Sequence, residues 1–104
     1  MSYSRFVDKV VIVTGAGSGL GESAALSFAA EGAKVIVSDI SEAQGQAVAE
    51  AIRAQGAEAH FVRADVASEE EVKSLFDETV KQYGKVDVIF ANAGINIEAN
   101  VDEL

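Results

Sequence analysis

An apolar run followed by a glycine-rich loop lies near the start of this 104-residue chain. The run covers residues 10–13, and the loop has the sequence Thr14-Gly15-Ala16-Gly17-Ser18-Gly19-Leu20-Gly21. A strand that leads through such a loop into a helix suits a diphosphate, because N–H groups at a helix N-terminus point at the anion and glycines leave room for it. Asp39 closes the next apolar run, residues 35–38, where a carboxylate can accept hydrogen bonds from a ribose. The two features together predict a nucleotide site.

The spacing of the glycines distinguishes between kinds of phosphate-binding loop. The frame G-x-G-x-x-G fails, because Leu20 and Glu22 stand where its last glycine is needed. A P-loop fails as well, since no Lys-Ser or Lys-Thr pair follows the glycines. The frame that fits is T-G-x-x-x-G-x-G, formed by Thr14, Gly15, Gly19 and Gly21. In this frame, Gly19 would leave room for the diphosphate, and Gly21 would let the helix pack on its strand.

This frame resembles that of the short-chain dehydrogenase/reductase family, and three later segments resemble the same family. Ala64-Asp65-Val66 follows the third predicted strand, residues 83–90 are similar to the family's approach to its fourth strand, and Asn92-Ala93-Gly94 is similar to its N-A-G motif. The resemblance covers the whole chain and corresponds to the N-terminal, cofactor-binding half of the family. It implies a Rossmann-type, doubly wound parallel α/β sheet that binds NAD.

The resemblance also implies individual contacts with NAD. Asp39 would hold the ribose hydroxyls, Asp65 would meet the adenine amino group, and the N–H of Val66 would meet a ring nitrogen. NAD is expected rather than NADP, because Asp39 would repel a 2′-phosphate, and Ser18 and Ile40 stand where NADP-binding members often carry Arg or Lys. The expected cofactor-binding residues are Thr14, Gly15, Ser18, Gly19, Leu20, Gly21, Asp39, Ile40, Asp65, Val66, Asn92, Ala93, Gly94 and Ile95.

The family's catalytic Tyr-x-x-x-Lys pair has no counterpart in the chain. The only tyrosines are Tyr3 and Tyr83, and the residues four positions later are Val7 and Asp87. We therefore expect no catalytic residue and interpret residues 1–104 as an NAD-binding half-domain. The intact relative would transfer hydride between NAD and an alcohol or carbonyl compound.

Two other interpretations remain open. In an S-adenosylmethionine-dependent methyltransferase, an acid-x-G-x-G-x-G loop would use Gly15, Gly17 and Gly19, but Val13 stands where the acid is needed. A non-catalytic or engineered half-domain that binds nucleotide or associates with itself would lack the same catalytic residues.

The composition narrows the possible partners. Eight basic residues face seventeen acidic ones, for a net charge of −9, which argues against nucleic-acid binding. Hydrophobic residues make up 49% of the chain and predict a packed core. No apolar run approaches the roughly 18 residues of a membrane span, and residues 1–9 lack the apolar region of a signal peptide. With no cysteine and a lone histidine, His60, we expect a cytoplasmic protein without a metal site.

Strand and helix patterns alternate, which predicts parallel βα units in the order 3-2-1-4. The predicted strands cover residues 9–14, 34–39, 58–63 and 86–92. The first helix runs over residues 18–31, the second begins at a Ser41 cap and ends at Gly56, and the third begins at a Ser68 cap and ends at Gly84. The predicted inner faces are Leu20, Ala24, Ala25 and Phe28 in the first helix and Val72, Leu75, Phe76, Thr79 and Val80 in the third.

The fourth predicted strand is almost continuously apolar, as in a strand covered on both faces. At a sheet edge such a strand presents unpaired backbone groups and apolar side chains together. We therefore expect self-association through this strand, or pairing with a C-terminal half.

Overall fold

Four parallel strands form the sheet in the computed structural model, which describes residues 5–92. The strand order is β3-β2-β1-β4, and strands and helices alternate along the chain. The predicted doubly wound α/β fold is confirmed. The strands are β1 (Val10–Thr14), β2 (Lys34–Asp39), β3 (Glu58–Arg63) and β4 (Val88–Ala91), and the helices are α1 (Gly19–Ala30), α2 (Glu42–Ala54) and α3 (Glu69–Tyr83).

Strand β1 lies between β2 and β4, and all five of its residues are buried. Val11 and Val13 belong to the core formed with α1 and α2. Ile12 points to the other face, where it packs in a second core that includes Leu75 of α3. Because side chains alternate along a strand, a β1 that is buried at every position requires helices on both faces of the sheet.

Helix α1 packs on the sheet through small residues. Its buried residues, Gly21, Ala25 and Ala29, are four apart and form one line along the helix. Leu20 is turned by about 100° from this line and is 73% exposed, so the predicted inner face is wrong at its first position. A line without large side chains lets the α1 backbone approach β1 closely.

The two predicted serine caps are present. The hydroxyl of Ser41 accepts a hydrogen bond from the N–H of Gln44 at 3.3 Å, and that of Ser68 accepts from Glu71 at 3.2 Å. On α3, Leu75 and Thr79 are buried, and the Thr79 hydroxyl donates to the Leu75 carbonyl.

Val80, however, is 47% exposed, so the predicted inner face of α3 is too wide. It follows Thr79 directly and is therefore turned about 100° away from the buried line.

Strand β4 is shorter than the predicted 86–92. Ahead of it, the N–H of Asp87 donates to the Val10 carbonyl at 2.9 Å, and the Asp87 carboxylate accepts from the Val10 N–H at 2.8 Å. A side-chain oxygen thus takes the place of a main-chain acceptor, which delays the start of the strand. This hydrogen bond, with help from Lys85 at 3.1 Å, lowers the pKa of Asp87 from its ordinary value.

Substitution Asp87→Asn should lower the thermal unfolding midpoint at pH 7. The folded state lowers the Asp87 pKa, so the stabilisation exists above the unfolded-state pKa, near 4, and is lost as the pH falls through the lower folded-state pKa. The difference between variant and parent should therefore shrink between pH 7 and pH 3 in thermal unfolding followed by circular dichroism. A difference that stays constant with pH would contradict this assignment.

The matched control for this experiment is Asp77→Asn. Within residues 5–92, Asp77 forms an exposed ion pair with Lys73 at 3.7 Å and no other ion pair or side-chain hydrogen bond, and such pairs contribute little to stability. Its midpoint should stay close to that of the parent.

Candidate dinucleotide site

The carboxyl ends of the strands meet at one edge of the sheet. Thr14 at the end of β1 lies level with Ser38 of β2 and Ala91 of β4. A cleft of about 330 Å³ opens at this edge, lined by Gly15, Asp39, Ile40, Ala64, Asp65, Val66 and Ala67. Five of the residues predicted to bind cofactor are in that lining: Gly15, Asp39, Ile40, Asp65 and Val66. Crevices at the carboxyl ends of strands are where open α/β sheets bind ligands.

The glycine loop joins β1 to α1 through two left-handed residues. Gly15 has a φ of 62° and Gly19 a φ of 60°, values that favour glycine. Between them, the N–H of Ala16 donates to the Ser38 carbonyl at 3.0 Å and ties the loop to β2. A Cβ on Gly19 would have no atom within 4 Å, so the space beside the first turn of α1 is open.

Gly21 is required by the loop itself. A Cβ at this position would overlap the Gly15 carbonyl and lie 2.9 Å from the Asn92 Nδ2 atom. The sequence predicts instead that Gly21 serves the packing of the helix on its strand. The atoms that this Cβ would meet belong to Gly15, directly after β1, and to Asn92, directly after β4.

Asn92 links the end of β4 to the same loop. Its N–H donates to the Thr14 hydroxyl at 3.2 Å, and its side-chain amide donates to the Gly15 carbonyl at 3.3 Å. Thr14 is 2% exposed and braces the loop from inside the sheet. The remaining predicted site residues, Ala93, Gly94 and Ile95, lie outside the described residues.

Asp39 ends β2 with its carboxylate held by two backbone donors. Oδ2 accepts from the N–H of Gly17 and Oδ1 from the N–H of Ser41, both at 2.8 Å. The side chain is half-buried and lines the cleft. Gly17 falls outside the T-G-x-x-x-G-x-G frame, and the sequence suggests a use for it only in the methyltransferase loop, so its contact with Asp39 was missed. The sequence did carry one sign of this role: the loop has a glycine at position 17 that the frame does not require.

Asp65 is held in a turn after β3. Its Oδ1 atom accepts from the N–H of Ala67 at 2.9 Å, and its own N–H donates to Glu71 at 2.8 Å. Glu71 also donates its N–H to the Ser68 cap of α3. Glu71 also pairs with Arg63 at 3.4 Å, and Arg63 is the neighbour of Asp39 across the sheet. A cation therefore stands close to the cleft, paired to a carboxylate.

Three of the predicted residues, Ser18, Leu20 and Ile40, are exposed at this edge. Leu20 is 73% exposed, Ile40 is 56% exposed, and Ser18 makes no side-chain cap to α1. Ile40 is also part of the cleft lining. The structure therefore leaves both apolar residues accessible to a ligand.

A family model described as short chain dehydrogenase matches residues 9–104. The chain belongs to this family. An uncharacterized oxidoreductase of Thermotoga maritima is 45% identical over 99 residues, which are 95% of this chain and 39% of the relative. Membership in the short-chain dehydrogenase family does not favour the methyltransferase interpretation.

Solved structures of short-chain dehydrogenases have the same fold. A hydroxysteroid dehydrogenase from Escherichia coli superposes with a TM-score of 0.85 at 40% identity, over 88% of this chain and 39% of that one. A 7α-hydroxysteroid dehydrogenase complexed with NADH and 7-oxo glycochenodeoxycholic acid gives a TM-score of 0.80 at 40% identity, over 83% of this chain and 34% of that one. The chain spans less than two fifths of the length of each relative.

Tyr83, the tyrosine within the described residues, lies far from the cleft. Its ring is 5.8 Å from the Nζ atom of Lys34, which begins β2, so it lies at the amino ends of the strands. Burial, together with nearby Glu58, raises the pKa of Tyr83 to about 12. A general acid or base works best with a pKa near the working pH, so both position and pKa separate Tyr83 from the chemistry of the family.

Two further features of residues 5–92 concern partners. None of their helices has the length and apolar character to cross a membrane. No group of three His, Cys, Asp or Glu residues in this range could hold a metal ion.

Proposed function

We propose that residues 1–104 are the NAD-binding half-domain of an oxidoreductase that transfers hydride between NAD and an alcohol or carbonyl compound. The observation that carries this proposal is the cleft in which Asp39 and Asp65 stand on neighbouring strand ends beside the glycine loop. Family membership and an NADH-complexed solved structure support it. The activity belongs to the proposed intact enzyme, because the chain offers no Tyr-x-x-x-Lys pair.

The residues present fit the parts of a dinucleotide. The open space beside Gly19 and the first turn of α1 would take the diphosphate, where backbone N–H groups favour an anion. Asp39 would accept from the ribose hydroxyls, and Asp65 and the N–H of Val66 would meet the adenine. When bound, NAD supplies the hydride acceptor. This chain's residues bind and orient it, and Asn92 keeps the loop fixed to β4.

The charge of Asp39 supports NAD over NADP. A 2′-phosphate bound there would stand roughly 4 Å from the carboxylate, which costs several kcal/mol at an effective dielectric near 20. Arg63 lies beside Asp39 in the sheet and could attract a 2′-phosphate, but its guanidinium pairs with Glu71. The carboxylate is therefore the dominant charge that a 2′-phosphate would meet.

Titration of the chain with NADH and NADPH tests the proposal directly. NADH should bind at least tenfold more tightly than NADPH. Asp39→Ala should weaken NADH binding and reduce the difference in affinity between the two cofactors, because hydrogen bonds to a charged acceptor contribute about 1.5–3 kcal/mol. Fluorescence of the reduced cofactors gives both dissociation constants. Binding of NADPH as tight as that of NADH would refute the preference, and no binding of either would refute the function.

Gly19→Ala and Gly56→Ala form a matched pair. Both glycines have a left-handed φ, 60° and 88°, and neither would bring a Cβ within 4 Å of another atom. Both variants should lose roughly 1 kcal/mol of unfolding free energy. Only Gly19→Ala should lose NADH binding, since its Cβ would fill the proposed diphosphate space. Equal NADH affinity in the two variants would contradict the assigned loop.

Self-association through β4 is part of the same proposal. In the described part of the chain β4 ends the strand order, and Val88, Ile89 and Phe90 are only half-buried. An edge strand with apolar side chains is a template for pairing with another strand. A second copy, or the later part of a longer protein, would supply it.

Sedimentation equilibrium at micromolar concentration should detect a self-associated species. Ile89→Lys should shift it toward monomer, because a charge at the edge strand opposes pairing. The matched control is Val80→Lys, which places the same charge on an exposed apolar position of α3. A monomeric parent chain would contradict the prediction.

A further inference from the structure

The carboxylate of Asp39 is fixed in orientation by donors from two different loops. Gly17 lies in the loop after β1, and Ser41 lies in the turn after β2. Each donates its N–H to a different oxygen of Asp39 at 2.8 Å. With both oxygens held, the carboxylate cannot rotate without breaking one of these charge-assisted hydrogen bonds.

Gly17 can make this bond only because it has no side chain. A Cβ would lie 2.8 Å from Asp39 Oδ2, 3.0 Å from Asp39 Cγ and 2.8 Å from Gln44 Cβ. The φ of Gly17 is not in the left-handed region, unlike those of Gly15 and Gly19, so conformation does not require glycine there. Close approach to the Asp39 carboxylate and to α2 is the reason that remains.

The two hydrogen bonds also determine what the carboxylate can still accept. A carboxylate has about four acceptor positions, two on each oxygen. One backbone N–H on each oxygen leaves one free position on each. Two neighbouring hydroxyls, as on the ribose of a dinucleotide, match that arrangement.

We infer that Gly17 is a positioning residue, which orients Asp39 toward a ribose diol and so contributes to discrimination against a 2′-phosphate. The inference rests on the proposed function. With alanine at position 17, the carboxylate must leave the Gly17 N–H and turn away from the loop. Affinity for a free diol should then fall more than affinity for a 2′-phosphorylated ribose.

The test is a double-mutant cycle on the full chain with Gly17→Ala, Asp39→Ala and the combined variant, with NADH and NADPH as probes. Gly17→Ala alone should weaken NADH about tenfold and narrow the ratio of NADPH to NADH dissociation constants. In the Asp39→Ala background, the same change should cost clearly less NADH affinity than in the parent, because no carboxylate is left to orient and only the contact with Gln44 remains. Gly56→Ala is the control for general strain and should leave the ratio unchanged.

Each outcome is decisive. A parent that does not bind NADH removes the proposed function and this inference with it. A parent that binds NADH, with an unchanged ratio in Gly17→Ala, overturns the inference alone. A further tenfold loss in the combined variant overturns it too, because Gly17 would then act through the shape of the loop.

A second measurement applies even where Gly17→Ala does not fold. In the ¹⁵N-labelled parent, the Gly17 amide proton should resonate downfield of its position in Asp39→Ala, since loss of a hydrogen bond to a carboxylate moves it upfield. Equal shifts in the two proteins would overturn the inference.

Discussion

The rest of the structure depends on the burial of β1. Its residues are covered on both faces, and buried N–H and C=O groups must find partners. Parallel pairing with β2 on one side and β4 on the other supplies them. Because parallel strands need crossovers, α1 and α2 cover one face and α3 the other. Every strand then ends at the same edge, so the residues that follow Thr14, Asp39 and Ala91 are brought together by the sheet.

Polar contacts between those strand ends convert a shared edge into a defined cleft. The N–H of Ala16 donates to Ser38, the Asn92 amide donates to Gly15, and the N–H of Gly17 donates to Asp39. Each bond joins the loop after β1 to the end of another strand. The positions of the cleft residues therefore follow from the strand register, and a shift of one strand would break several of these bonds together.

Much of the fold was predictable from the sequence, because the patterns that indicate its strands and helices are local. Alternating strands and helices predicted the strand order, and the serine caps at Ser41 and Ser68 predicted where two helices begin. Which residues of α1 face the sheet was not predictable. The pattern indicated Leu20 as a core residue, but the small residues Gly21, Ala25 and Ala29 form the buried line instead. The late start of β4 depends on Asp87 meeting Val10, which is 77 residues away in sequence. The role of Gly17 likewise arises only from its contact with Asp39, at the end of another strand.

Close approach explains glycines that a motif frame does not. Inside α2, a Cβ on Gly45 would overlap the ring of Phe61, so that glycine allows the helix to rest on β3 despite its poor helix propensity. At Gly17 the missing Cβ likewise allows a close approach, here for a hydrogen bond to Asp39 rather than for an apolar contact. Local donors also explain how a chain of net charge −9 holds two carboxylates in one cleft. Asp39 and Asp65 each accept backbone N–H groups, and it is such oriented donors, not net charge, that determine the local field.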